Sequence, residues 1–192
     1  MSARWSAGRF MLLAALLALL AAPALAPPFW ITLLNYIGLY SIVALGLVLL
    51  TGVAGQTSFG QAAFVGIGAY ATAYLSINYP AISPWINLLV GVAMTVLIAL
   101  FLGFITLRMR GHYLPLATIA WGISIFYVFG NLEFLGGYTG VSGIAALSLF
   151  GWELRNERHI YYLIWLVVLA SLWTTANLLD SRPGRAVRAL RG

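Results

Sequence analysis

The sequence predicts an all-α polytopic transmembrane helix bundle of about six spans, with the N-terminus and the C-terminus both cytoplasmic. Three observations carry this expectation. Of the 192 residues, 62% are hydrophobic and only 7% are charged, whereas a soluble domain carries roughly 25% charged residues. Six apolar runs are long enough for the roughly 20-residue helix that crosses the hydrocarbon of a bilayer. The ten basic residues, all of them arginine, stand in short groups at the ends of these runs.

Taken in order, the spans fall at about 10–26, 29–50, 60–78, 85–107, 113–131 and 159–179. Arg4 and Arg9 precede the first, Arg108 and Arg110 follow the fourth, and Arg182, Arg185, Arg188 and Arg191 follow the sixth. With the N-terminus inside, alternating spans put all three groups on the cytoplasmic side and leave only Arg155 and Arg158 outside, as the positive-inside rule asks. The first span has two readings. It is a membrane helix, or Arg4, Arg9, the apolar run Phe10–Ala22 and Ala24-Leu25-Ala26 form a cleavable secretory signal. In either case the second span runs from outside to inside.

The connections are punctuated as helix ends should be. Pro80 and Pro84 bracket a short outer turn over Tyr79–Ser83, and Pro115 falls in the first turn of the fifth span, where a missing N–H costs little. The outer segment from Asn131 to Arg158 holds three of the four acidic residues, and Leu135–Gly143 reads as a flexible glycine loop. Between the second and third spans, Gly52–Gly60 reads as a cytoplasmic turn or a re-entrant loop. Trp30, Trp85 and Trp152 suit aromatic belts at the interfaces.

The stretch Gly52–Leu75 organises the rest. Gln56, Thr57, Ser58 and Gln61 place four hydrogen-bonding side chains between apolar runs, and lipid offers them no partners. Ala62, Gly66, Ala69 and Ala73 follow an i, i+4, i+7, i+11 spacing and share one helix face. Small residues in such a stripe let membrane helices pack closely. Asn35, early in the second span, reads as an interhelical hydrogen-bonding residue. His112 and His159 stand at span ends with no metal-binding spacing.

Composition excludes several classes. With no cysteine, thiol catalysis, disulfides and Cys-ligated metal are absent. With no lysine, there is no P-loop, so any ATP that drives this chain is hydrolysed by a separate subunit. No cofactor is expected. The arginine groups read as topology rather than nucleic-acid binding, and no Ser/His/Asp set or buried carboxylate pair suggests an enzyme.

The order of residues from Gly55 to Tyr70, G-Q-x-S-x-G-Q-A-A-F-x-G-I-G-A-Y, resembles the signature of branched-chain amino acid ABC transporter permeases of the LivM type. Further segments are similar in family order over roughly residues 35 to 191. Leu107-Arg-Met-Arg-Gly-His-Tyr113 with Ala117-Thr118 resembles L-R-x-R-G-x-Y…x-T. Leu135-Gly-Gly-x-x-Gly140-Val-x-Gly143-Ile144 resembles the external glycine loop. Ser181–Arg191 resembles S-x-x-G-R-A-x-R-A-I-R. This chain has Ile123 where many relatives carry an acidic residue. In the family the basic run leads into an E-x-x-A-x-x-x-G-like segment that docks on the ATPase, with further spans beyond. The expectation is therefore one permease domain over residues 1–192, shortened at its C-terminal end.

The resemblance implies a permease subunit of an ATP-driven importer for branched-chain or related small apolar amino acids. It would stand in a bacterial-type cytoplasmic (inner) membrane and work with ABC ATPase subunits, a second permease subunit and an extracytoplasmic solute-binding protein. Alternatives are import of urea or short amides, and a non-transporting membrane scaffold. The residues singled out for the transport path or for helix packing are Gln56, Ser58, Gln61, Gly66, Gly68 and Tyr70. Arg185, Arg188 and Arg191 are the ATPase-side contact, or alternatively an anchor on anionic lipid. Glu133, Glu153, Arg155, Glu157 and Arg158 form a mixed-sign outer patch, read as a solvated face or as a contact for the solute-binding protein.

Overall fold

The computed structural model describes residues 2–106, 108–109, 113–149 and 152–189. Among the residues singled out above, Arg110, His112 and Arg191 lie outside the described residues, and Arg4, Arg9 and Trp152 are described by backbone alone.

Each predicted span is occupied by a helix. They are α1 (Ser2–Leu25), α2 (Pro28–Leu47), α3 (Gln61–Asn78), α4 (Pro84–Thr106), α5 (Tyr113–Asn131) and α6 (Glu157–Asp180), with a short seventh helix, α7 (Arg182–Ala189). A π-helical turn, Val48–Val53, continues α2. Two 3-10 turns, Glu133–Leu135 and Gly137–Thr139, follow α5. The two-residue strands β1 (Ser148–Leu149) and β2 (Trp152–Glu153) pair antiparallel, Leu149 opposite Trp152, a local ladder in an otherwise helical chain. Among the described residues, four helical stretches are long and apolar enough to cross a membrane: Pro28–Val53, Pro84–Thr106, Tyr113–Asn131 and Glu157–Asp180. No more than 11% of the most apolar window of any of them is buried within the chain. Apolar helices with that much bare surface belong in lipid, where every backbone group is satisfied inside the helix. The fold is an all-α polytopic membrane bundle.

The chain forms two compact units, Met1–Ile42 with Leu154–Ala176, and Val43–Glu153 with Asn177–Gly192. In the first, α1 and the N-terminal part of α2 meet α6. Ile31 and Tyr161 are each 1% exposed. Asn35 Nδ2 donates to the Glu157 carbonyl at 3.1 Å, and Thr32 Oγ1 donates to Glu157 Oε2 at 2.5 Å. Asn35 thus joins two helices, as its position suggested. Glu157, expected in a solvated patch, is exposed and is also bonded to α2 through its side chain and its carbonyl. A hydroxyl and an amide one turn apart on α2 meet it there, and sequence spacing on α6 alone does not reveal them. At Gly38 a Cβ would lie 2.6 Å from Ile164 Cγ2, so glycine is what lets α2 and α6 approach.

In the second unit α3 packs against α4. The close approach uses Gly68 and Thr72 on α3 with Gly91 and Thr95 on α4. A Cβ on Gly91 would lie 2.9 Å from the Gly68 carbonyl oxygen, and one on Gly68 would lie 3.0 Å from Thr95 Oγ1. Both helices therefore present a small residue four before a threonine, the small-xxx-small pattern of membrane helix pairs. Of the predicted stripe, Ala73 is buried and Gly66 stands against Phe129, whereas Ala62 and Ala69 are exposed. At the end of the pair next to the turn at residues 79–83, Asn87, 1% exposed, donates from Nδ2 to Ser76 Oγ at 3.3 Å.

The turn at residues 79–83 and the start of α5 at Tyr113 stand where the prolines placed them. The glycine loop is more specific than a flexible linker. Gly136, Gly137, Gly140 and Gly143 all have positive φ, and the Tyr138 ring fills the space above Gly130, where a Cβ would lie 2.5 Å from it.

Candidate functional site

The second unit holds a partly open cavity of about 300 Å³, the lower end of the roughly 300–1,000 Å³ range of ligand pockets. Its first wall is made where α2 stops being an α-helix. In the π turn the Ala54 N–H bonds to the Leu49 carbonyl at 3.0 Å, one residue further than α-helical spacing. Such π segments are frequent at functional sites. Gly55 then takes φ +71°, a conformation that side-chain-bearing residues avoid, and the backbone leaves the helix. Residues 55–60 are irregular until α3 begins at Gln61.

That loop is pinned to α5. The Phe59 N–H donates to Thr118 Oγ1 at 3.1 Å, and a Cβ on Gly60 would stand 3.4 Å from the Thr118 carbonyl oxygen. Thr118 Oγ1 in turn donates to the Pro115 carbonyl at 2.9 Å, so its lone pairs face the loop. Two separate motifs, Gly55–Tyr70 and Tyr113–Thr118, are thereby brought to one place.

Gln56, Thr57 and Ser58 line the cavity from the loop, Leu102, Gly103 and Thr106 from α4, and Leu114, Thr118 and Trp121 from α5. Ser58 is 8% exposed, and its Oγ accepts the Gly60 N–H at 3.4 Å. Thr106 Oγ1 is turned back onto the Leu102 carbonyl at 2.8 Å. Among the described residues, the polar groups of the lining are hydroxyls and an amide, and none of these residues is ionisable. The site therefore offers an apolar wall and neutral hydrogen bonding. An isolated charge with no counter-charge here would lose several kcal/mol of hydration.

Of the six residues singled out around this stretch, Gln56 and Ser58 reach the cavity. Gly66, Gly68 and Tyr70 stand against neighbouring helices. Gly66 faces the Phe129 ring, where a Cβ would lie 2.8 Å from Cε2, and Tyr70 meets the same ring at 4.6 Å between centroids. Gly68 stands against Thr95. Gln61 is half-buried at the start of α3 and outside the lining. The α4 wall was missed, because no motif marks Leu102, Gly103 and Thr106. Thr118 was legible as part of the motif that contains it.

At the C-terminal end, Arg185 Nη1 donates to the Asp180 carbonyl at 2.9 Å and Arg188 Nη2 donates to the Leu179 carbonyl. Both cap the last turn of α6, where cations complement the helix dipole. Gly184, buried, lets α7 fold back so closely that a Cβ would lie 2.7 Å from Leu179 Cα. Among the described residues no group of three or more His, Cys, Asp or Glu is placed to hold a metal ion.

The model of the family described as branched-chain amino acid transport system / permease component matches residues 29–192. The high-affinity branched-chain amino acid transport system permease protein LivM of Escherichia coli (strain K12) is 32% identical over 177 residues, 80% of this chain and 41% of that protein. Its namesake from Salmonella typhimurium gives the same identity and coverage. The probable branched-chain amino acid transport permease protein LivM of Methanocaldococcus jannaschii is 28% identical over 194 residues, 83% of this chain and 55% of that protein. The chain thus spans about half or less of the length of these curated relatives. No solved structure gives a significant match. These relatives are transport permease proteins rather than enzymes, and the match over 29–192 shows that the chain belongs to the family of branched-chain amino acid transport system permease components.

Proposed function

We propose that this chain is the membrane-spanning permease part of an ATP-driven importer for branched-chain or related small apolar amino acids. It would cross the cytoplasmic membrane six times as one permease domain, with both ends inside. It would work with ABC ATPase subunits, a second permease subunit and an extracytoplasmic solute-binding protein. The observation that carries the reading is the cavity where the π turn and the Gln56–Ser58 loop meet α4 and α5. Its apolar walls suit an aliphatic side chain, and its neutral hydrogen-bonding groups suit the polar end of a small solute. Arg185 and Arg188, bonded to the end of α6, would carry motion of the cytoplasmic partners into that helix.

A second reading has one observation behind it. Among the described residues none of the lining is ionisable, so the cavity also suits a solute with no charge at all, such as urea or a short amide. Uptake of labelled leucine, isoleucine, alanine and urea by the assembled transporter, with ATP supplied and withheld, tests both. ATP-dependent leucine uptake is the expected result. Uptake of urea alone would replace the first reading with the second, and uptake of nothing by a folded, assembled complex would point to a scaffold.

A further inference from the structure

Glycine within a helix demands a reason, because it is the poorest helix former after proline. In this chain the reason is usually visible. At Gly38, Gly66, Gly91 and Gly130 a Cβ would fall within 3.0 Å of a neighbouring atom, so close approach requires glycine. Gly46 and Gly103 are different, since a Cβ built on either meets nothing within 4 Å among the described residues, and of the two only Gly103 lines the cavity. Gly103 lies in the last turns of the unbroken helix α4 and is not a positive-φ residue. Neither packing nor backbone conformation asks for glycine there. What adjoins it is the cavity, whose α4 wall it forms together with Ala99, one turn earlier on the same face, and Thr106.

We propose that Gly103 is a specificity-determining residue: the side chain it lacks is part of the cavity's volume, and its smallness sets how large an apolar group the cavity admits. The proposal rests on the transport reading above for the identity of the solute, but the volume argument stands on the geometry alone. A hydrophobic pocket distinguishes ligands that differ by one methylene by roughly 10- to 200-fold, so side chains added at position 103 should bite first on the bulkiest solutes.

The test is a graded series, Gly103→Ala, Gly103→Val and Gly103→Leu, in the assembled transporter, read in two ways. The first is uptake of labelled leucine against labelled alanine. Leucine uptake should fall by about tenfold or more at valine and leucine, while alanine uptake changes by less than about twofold. The second readout needs no transport. The chain has no cysteine, so a single Gln56→Cys thiol reports on the cavity, and its modification by a small thiol reagent should slow stepwise along the series. Yield of folded protein should hold at alanine, because its Cβ enters open space; should Gly103→Leu fail to fold, the alanine and valine variants decide. Unchanged thiol modification, or equal loss of both solutes, would overturn the proposal. So would loss of folded protein already at alanine, since another segment would then fill that space. If the wild-type complex moves no amino acid, the transport reading fails and the thiol series still judges Gly103.

Discussion

Tyr161 Oη donates a hydrogen bond of 2.9 Å to the Leu19 carbonyl, the acceptor that Pro23, four residues on in α1, has no N–H to reach. A proline inside an apolar helix leaves a carbonyl without its helical partner, and in lipid such a group is costly. Here a tyrosine of α6 supplies the donor, with Tyr161 1% exposed and Pro23 fully buried beside it. Tyr162 Oη reaches the next carbonyl, that of Leu20, at 3.3 Å.

The two tyrosines should differ on removal of the hydroxyl. Tyr161→Phe leaves a buried carbonyl unpaired and should cost about 1–3 kcal/mol. Tyr162→Phe removes a longer bond from a more exposed residue, and the Leu20 carbonyl keeps its helical partner. Its effect should stay below about 0.5 kcal/mol, in line with exposed substitutions elsewhere. Chemical unfolding in detergent measures both, and equal effects would show that the Leu19 carbonyl is satisfied in some other way.

Gly91 should tolerate nothing larger. A Cβ there would lie 2.9 Å from the Gly68 carbonyl oxygen and 3.4 Å from the Thr72 nitrogen, and backbone cannot step aside as a side chain can. Gly91→Ala should therefore destabilise by about 1–3 kcal/mol, the range for overpacking. Gly46→Ala is the control, because nothing lies within 4 Å of its Cβ; relief of glycine's entropy cost should leave it neutral or more stable by about 0.5–1 kcal/mol. Thermal unfolding of the two variants side by side gives the answer, and a Gly91→Ala protein as stable as the control would remove the close crossing of α3 and α4.

These positions also show what was legible in the sequence. Span positions were readable because length and hydropathy alone decide where a helix fits a bilayer, so 60–78 and 113–131 match α3 and α5 within a residue. Which face of α3 packs was not readable from spacing. The stripe from Ala62 to Ala73 is regular, but which neighbour meets a face is a tertiary fact, and the close crossing with α4 runs through Gly68 and Thr72. The π turn left no trace either, since an apolar run reads the same whether its bonds close over four residues or five. Of the cavity, only the half built by motifs was foreseeable; α4 contributes Gly103 and Thr106 through position, not pattern.

The bond from the Phe59 N–H to Thr118 Oγ1 should control how often the loop opens. Thr118→Val keeps the shape and removes the acceptor, at a net cost of roughly 1 kcal/mol, or about fivefold in an equilibrium. Ser58 is 8% exposed, so a Ser58→Cys thiol reacts when the loop lifts. Its modification should quicken about fivefold with Thr118→Val and return to the parent rate with Thr118→Ser. A rate indifferent to both substitutions would mean that the loop is held elsewhere.

Membrane orientation is the last prediction and depends on charge rather than packing. Arg4 and Arg9, Arg108 and Arg110, and the four arginines from Arg182 to Arg191 fall on one side if all six helices cross, leaving Arg155 and Arg158 on the other. Four stretches meet the length and hydropathy of a span unaided, so the count turns on α1 and α3, at 24 and 18 residues. If both cross, cysteines replacing Gly111 and Gly192 face the cytoplasm and one replacing Gly137 faces out. If α3 alone fails to cross, Gly111 moves to the outside and all eight arginines beyond α3 change sides, leaving six of the ten outside, against the positive-inside bias. The absence of native cysteine makes each single-cysteine protein a clean reporter. A membrane-impermeant thiol reagent applied to intact cells should label position 137 and spare 111 and 192, and labelling at 111 would end the six-span arrangement.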